Sequence, residues 1–283
     1  MSAPLWKSVV AALRALRPAA APVEQRLDAA PSALDCEQPG AVWRGGLDGA
    51  AVRPDGSRDA RATRRMREEL RYWSRAAQNL DGEFQDGLEN TFRRWQRIRL
   101  YELARCMGIE GELEVGGPLT GRMGEWLAQQ RAVEIGGGPW PCVAAARFAS
   151  AVVIDPLADG YHAEKLVTPE AGHVAYVAAV GEAIPLPSGG TDLVITDNCL
   201  DHVQDPPQVA REIMRILRPG GLLWLLVDVM DQADELHPNP MSETRAAELL
   251  RAAGLRQRWG EVWDGHSHPR AKGQWRTLWE RPV

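Results

Sequence analysis

Three consecutive glycines, Gly136, Gly137 and Gly138, follow the short apolar run Ala132 to Ile135, and a second apolar run, Ala151 to Ile154, ends on Asp155. A turn without side chains lets another molecule come close to the backbone. A carboxylate at the tip of the next strand can accept both hydrogen bonds from a ribose diol. Those residue types at those places suit a nucleoside. A dinucleotide is the obvious candidate, and its fingerprint is Gly-x-Gly-x-x-Gly. Gly136 and Gly138 supply the first two glycines, but Pro141 stands where the third belongs.

Four histidines carry the remaining chemistry: His202, His237, His266 and His268. An imidazole titrates near neutrality and is a suitable general base for a hydroxyl acceptor. His202 and His237 follow apolar runs of strand length and are the catalytic candidates; the alternative for His202 is a structural residue bonded within its own loop. His266-Ser-His268 has a chelating spacing, but two ligands do not make a metal site, and no metal is expected. Cys36, Cys106, Cys142 and Cys199 are far apart, with no Cys-x-x-Cys pair. Neither a zinc ribbon nor a dithiol redox site is indicated, and Cys142 and Cys199 read as small buried apolar residues.

The elements that must hold these groups can be read from periodicity and punctuation. Pro139 suits the first turn of a helix, and Cys142 to Ala149 is expected to continue that helix back along the sheet. Val174 to Ala179 and Asp192 to Thr196 read as the third and fourth strands. Asp205 is placed to cap a helix with Pro206 at its first position; Val209 and Ile213 form its buried stripe, and Gly220 is expected to end it. Leu222 to Val227, apolar on both faces, reads as a central strand. Asn239-Pro240 opens another helix, closed by Gly254, and Leu255 to Val262 and Gln274 to Glu280 pair as the last strands. Upstream, Leu119 to Gln130 is a short helix feeding the first strand. A longer helix carries Phe84, Leu88, Phe92, Trp95 and Ile98 on one apolar face, after a break at Asp81-Gly82. Before it runs an arginine-rich helix, Arg58 to Arg75, that ends near Tyr72 and Trp73; it reads as a solvated face with internal ion pairs.

Glu134 two residues before Gly136, then Gly181-Glu182-Ala183, then Asp192 through Asp197-Asn198-Cys199-Leu200-Asp201-His202 to Pro206, and Arg218-Pro-Gly-Gly221 leading into an apolar strand, form an ordered set. With this set the chain resembles the class I S-adenosylmethionine-dependent methyltransferases, most closely the methyltransferase-11-like group, over about Ala132 to Trp279. The resemblance implies an α/β fold: a doubly wound, seven-stranded, mostly parallel sheet of the Rossmann-like methyltransferase type, its final strand antiparallel, with an N-terminal helical extension. It implies S-adenosyl-L-methionine as cofactor. Glu134, Gly136, Gly137 and Gly138 would shape the pocket around its methionine part. Asp155 would hold the ribose, and Glu182 and Ala183 would flank the adenine. Asp197 and Asn198 would face the reacting centre. A histidine just after the fourth strand, where His202 stands, would lie near the acceptor. Helices before the first strand would form a lid, with Tyr72 and Trp73 at the substrate mouth; the alternative is that both are packing aromatics.

The implied activity is methyl transfer to a small-molecule or glycan acceptor, at a hydroxyl oxygen. Alternatives are a cofactor-binding scaffold without turnover and an NAD-dependent oxidoreductase. The expected organisation is 1–57 as an N-terminal helix and linker, 58–130 as a helical lid, and 131–283 as the cofactor-binding catalytic domain. With 283 residues and a formal charge of −5, the mild acidity gives no reason to expect a nucleic-acid partner. No apolar run is long enough to span a membrane, and a cytoplasmic location is expected. Leu5, Val9, Leu13 and Leu16 interspersed with Lys7, Arg14 and Arg17 leave three readings open: a docked or fraying terminal helix, a membrane-surface helix, or a transit-like leader.

Overall fold

The computed structural model describes residues 51–52, 58–78, 88–109, 116–167, 169–265 and 268–283. The expected helix at 5–16, the linker apart from Ala51–Val52, the break at Asp81-Gly82, and Phe84 and His266 lie outside them. A minimal ladder pairs β1 (Ala51–Val52) with β2 (Arg58–Asp59) and leads into α1 (Ala60–Ala77) and α2 (Leu88–Cys106). After α3 (Gly121–Leu127) come β3 (Arg131–Ile135), β4 (Ser150–Ile154), α4 (Ala158–Ala163), β5 (Ala175–Val177), β6 (Thr191–Asp197), α5 (Pro206–Ile216), β7 (Leu217–Asp228), α6 (Glu243–Ala252), β8 (Arg256–Trp263) and β9 (Gln274–Glu280). The seven long-range strands form one sheet in the order β5-β4-β3-β6-β7-β9-β8. The first five are parallel, whereas β9 runs antiparallel to both β7 and β8. This is the doubly wound, mostly parallel sheet with an antiparallel last strand that the motifs imply. The chain starts it in the middle, so the order reverses between β3 and β6, where an open α/β sheet leaves a crevice at its carboxyl edge.

Side chains alternate across the strands with period two and feed two cores. Val133, Ile135, Val194, Leu223, Leu225 and Val227 pack with Val209 and Ile213 of α5 and Ala246 and Leu250 of α6. Ala132, Leu193, Ile195, Leu222, Trp224 and Leu226 pack on the other face with Leu100, Leu103, Met123 and Leu127. Burial of each large aliphatic side chain contributes about 1.5–3 kcal/mol, so the sheet is pinned from both sides. Glu134 shares the parity of Ala132 and therefore points to the α2 side.

Four expectations are corrected. Cys142 to Ala149 is not a full helix: only a 3-10 turn forms, at Cys142–Ala145, and Ala146 is already extended. The span back to β4, which begins at Ser150, is too short for more. Gly220 does not end α5, which stops at Ile216 and passes directly into β7 through an extended Leu217; Gly220, at φ 74°, instead turns the backbone so that its N–H donates to Arg281 O at 2.8 Å. The helix expected from Asn239-Pro240 begins at Glu243, because Ser242 is the residue whose side chain accepts from Arg245 N. Finally, α2 meets the sheet through Leu100, Leu103 and Ala104, one turn beyond the face read from Phe92 to Ile98. Phe92 packs instead against Ala76 and Trp140.

Candidate functional site

The glycine turn follows from its neighbours. Gly136 adopts φ 67° and Gly138 φ 63°, a left-handed conformation that costs side-chain-bearing residues about 1–2 kcal/mol. Each glycine is also met by atoms of the chain itself. A Cβ on Gly136 would lie 2.5 Å from Cys199 Sγ, one on Gly137 2.9 Å from Pro141 Cβ, and one on Gly138 3.3 Å from Trp73 Cζ2. The turn is therefore tight on its own account, independent of any ligand.

Two buried carboxylates brace it. Glu134, 2% exposed, accepts from Cys142 N at 3.0 Å and Val143 N at 2.9 Å, so it satisfies the first free amides of the 3-10 turn. Burial pushes its carboxyl up to about 8, and the two amides pull the other way. Asp155, 4% exposed, accepts from Gly138 N at 3.1 Å through Oδ2 and from Leu157 N at 2.8 Å through Oδ1. Burial raises it to about 6 against those two bonds, with Glu69 adding to the rise. A carboxylate has about four lone-pair sites, so Asp155 retains acceptor capacity. The structure thus joins Glu134, Gly136, Gly137, Gly138 and Asp155 in one unit at the carboxyl ends of β3 and β4.

Asp197 ends β6 and is paired with Arg99 of α2. Burial works against the Arg99 charge, but Asp197 together with other neighbours, Glu102 among them, raises the guanidinium above its ordinary value. The other oxygen of Asp197, Oδ1, is buried and has no hydrogen-bond partner among the described residues. Asn198, at φ 47°, accepts from Asp228 N at 2.7 Å and so ties the ends of β6 and β7 together. Glu182 is engaged by the protein: one oxygen accepts from Gln204 N at 2.7 Å and Asp205 N at 3.1 Å, fixing the entry to α5, which Asp205 caps. Ala183 beside it is exposed.

Over the crevice lies α1. Trp73 packs on Gly138, donates to Glu69 Oε1 at 2.9 Å and meets Phe92 and Trp140 edge-on. Leu70 packs on Gly160, and Arg64 pairs with Glu235 beyond β7 at 2.8 Å. Tyr72 is 46% exposed and contacts the Trp73 ring.

The histidines converge. His202 follows β6, His237 follows β7 and His268 lies between β8 and β9. The His237 ring centroid is 4.5 Å from each of the other two. Asp201 and Asp234 complete the group, and neither carboxylate was singled out from sequence. Asp201 is 2% exposed, and its place directly before His202 was the one local signal. His202 follows β6 and Asp155 follows β4, so both stand at the carboxyl edge of the sheet.

Residues 133–225 match the family model for a methyltransferase domain. An uncharacterized methyltransferase of Mycobacterium ulcerans is 34% identical over 106 residues, 36% of this chain and 40% of that protein. One of Mycolicibacterium paratuberculosis is 30% identical over 165 residues, 56% of this chain and 60% of that protein. The chain therefore matches less than two thirds of the length of these relatives. Among solved structures, an S-adenosylmethionine-dependent methyltransferase from Thermotoga maritima aligns over 76% of this chain and 99% of its own, at 14% identity and a TM-score of 0.49. With its ordered motifs and its β5-β4-β3-β6-β7-β9-β8 sheet, the chain is similar over residues 133–225 to a methyltransferase domain.

Proposed function

We propose that the protein transfers a methyl group from S-adenosyl-L-methionine to a hydroxyl of a small-molecule or glycan acceptor. The observation that carries this reading is the buried unit of Gly136–Gly138 and Asp155 at the point where the strand order reverses, beside a cluster of histidines. The residues fit the cofactor. Asp155 keeps lone pairs for a ribose diol, and the orphaned Asp197 Oδ1, buried near neutral Asn198, is suited to an ammonium. Glu134 and the three glycines shape the methionine end, and Glu182 and Ala183 border the adenine. When bound, the cofactor supplies a methyl group on a sulfonium already activated for displacement, so the protein's task is alignment. Trp73 shields that alignment from water, with Tyr72 at the outer rim. His202 and His237 lie on the acceptor side, where a group able to take the hydroxyl proton is required.

The domain division proposed is 58–130 as lid and 131–283 as catalytic domain. Among the described residues no helix is long and apolar enough to cross a membrane. A radiolabelled methyl-transfer assay against fractionated cell extract, with mass spectrometry of the product, tests the reading. Label in a hydroxyl-bearing small molecule is the expected result. Binding of NAD without S-adenosylhomocysteine would overturn it.

A further inference from the structure

The histidine cluster holds more than a base. We propose that Asp201, His202 and His237 form a binding site for one divalent transition cation, with Asp234 as the carboxylate that orients His237. One ligand atom from each of the three lies within 4.8 Å of the others. Asp201 supplies an independent sign. Its side chain is 3% exposed, its Oδ1 has no hydrogen-bond partner among the described residues, and its Oδ2 is 3.9 Å from His202 Nε2. That is beyond hydrogen-bond reach. A buried carboxylate is stable when it is paired, hydrogen-bonded or coordinated to a metal, and a cation between Asp201 and the two imidazoles would supply that partner.

A second group, Asp234, His237 and His268, shares His237, and hydrogen bonding decides between the two. Asp234 is already saturated. Its Oδ1 accepts from Leu236 N at 2.9 Å, His237 N at 2.7 Å and His237 Nδ1 at 2.8 Å, and its Oδ2 is paired with Arg270 and lies 3.5 Å from His268 Nε2. A carboxylate so occupied is a poor ligand. It is, however, the partner that a metal-bound histidine takes for its other ring nitrogen, fixing the tautomer and ring plane. With Nδ1 engaged, His237 offers Nε2 to the cation. Two imidazoles and one carboxylate without thiolate suit zinc, cobalt, manganese or ferrous iron, and three protein ligands leave positions open for oxygen.

Those open positions deepen the methyltransferase reading, on which this role rests although the site itself does not. The acceptor hydroxyl becomes a ligand of the cation, its O–H bond breaks, the proton leaves to solvent and the oxygen stays on the metal as the nucleophile. His202 then acts as a ligand in place of a free base.

The test uses the full chain, stripped with a chelator and titrated with Co²⁺ and with Zn²⁺ by calorimetry and visible absorption. One ion per chain is expected, with cobalt d–d bands. Asp201→Asn and His237→Ala should weaken binding at least 100-fold, and Asp234→Asn about 10–100-fold. His202→Gln, at a side chain 33% exposed and so tolerant of change, serves if Asp201→Asn fails to fold. Titration with S-adenosylhomocysteine checks that each variant keeps its fold. Absence of stoichiometric binding in the parent protein, or affinity unchanged in the folded variants, overturns the site. Stoichiometric cobalt binding in a protein that does not bind S-adenosylhomocysteine supports the site and overturns the methyltransferase reading.

Discussion

The two halves of the crevice are made of different material. On the β3–β4 side the polar work falls to one contiguous stretch: Glu134 and Asp155 accept four backbone N–H groups between them, and the glycines between meet Cys199, Pro141 and Trp73 at contact distance. On the β6–β7 side, side chains from three separate loops converge: His202, His237 and His268, with Asp201 and Asp234 between them. The first half is braced by backbone hydrogen bonds, which under the proposed function suits a cofactor that never varies. The second is assembled from loops that can change independently, as a surface that reads an acceptor must. The difference predicts that damage to one half should leave the function of the other standing.

Substitutions on the histidine side should have the largest effect and confine it to turnover. His202→Ala and His237→Ala are each expected to slow methyl transfer by about 10²–10⁴-fold while S-adenosylhomocysteine affinity, read by calorimetry, changes by less than about two-fold. Full activity in His202→Ala would remove it from the reaction. On the glycine side, Asp155→Ala should weaken S-adenosylhomocysteine by about 100-fold, as expected for two hydrogen bonds to a charged group; an unchanged affinity would refute the ribose assignment.

Protonation gives a finer probe of the same contrast. Burial raises Asp155 to about 6, and ribose hydroxyls donate to its ionised form, so binding favours the carboxylate. Affinity for S-adenosylhomocysteine should fall as pH drops through about 6, by about 10-fold from pH 7 to pH 5, and Asp155→Asn should be flat over that range. A smaller effect concerns stability. Glu134 has a folded value near 8 against an ordinary 4.5. A carboxyl raised on folding contributes stability that is complete below the unfolded value and lost as pH rises through the folded one. The thermal midpoint should therefore decline from pH 5 to pH 9, and Glu134→Gln should flatten that decline by a few degrees. A slope unchanged in the variant would show that Glu134 stays ionised throughout.

Local signals made the glycine half readable. A strand, a left-handed turn and a strand ending in an acid lie within a single span, and every member is named by its neighbours. The same holds for the Asp205 cap with Pro206 after it, and for β9, whose Gln274–Glu280 limits were read directly. Failures came where distant residues decide. The 3-10 turn at Cys142–Ala145 stops because Ala146 is already extended on the way to β4 at Ser150. Likewise, α2 presents Leu100 and Leu103 because that is where the sheet lies, a fact its own periodicity does not contain. Glu182, which the resemblance sets beside the adenine, also accepts from the amides of Gln204 and Asp205 through one oxygen, a contact between distant residues that its own stretch does not show.

By itself, then, the sequence determined the order of strands and helices, the glycine turn and the acid facing it, because backbone conformation and side-chain periodicity are set by neighbours along the chain. Only the tertiary structure decided that Trp73 lies on Gly138, that Arg99 holds Asp197, and that Asp201, His202 and His237 share one small volume. Those meetings depend on how far apart the strand ends stand in the folded sheet, and on burial that leaves a carboxylate oxygen with no hydrogen-bond partner among the described residues. Neither quantity is written in any short stretch of residues.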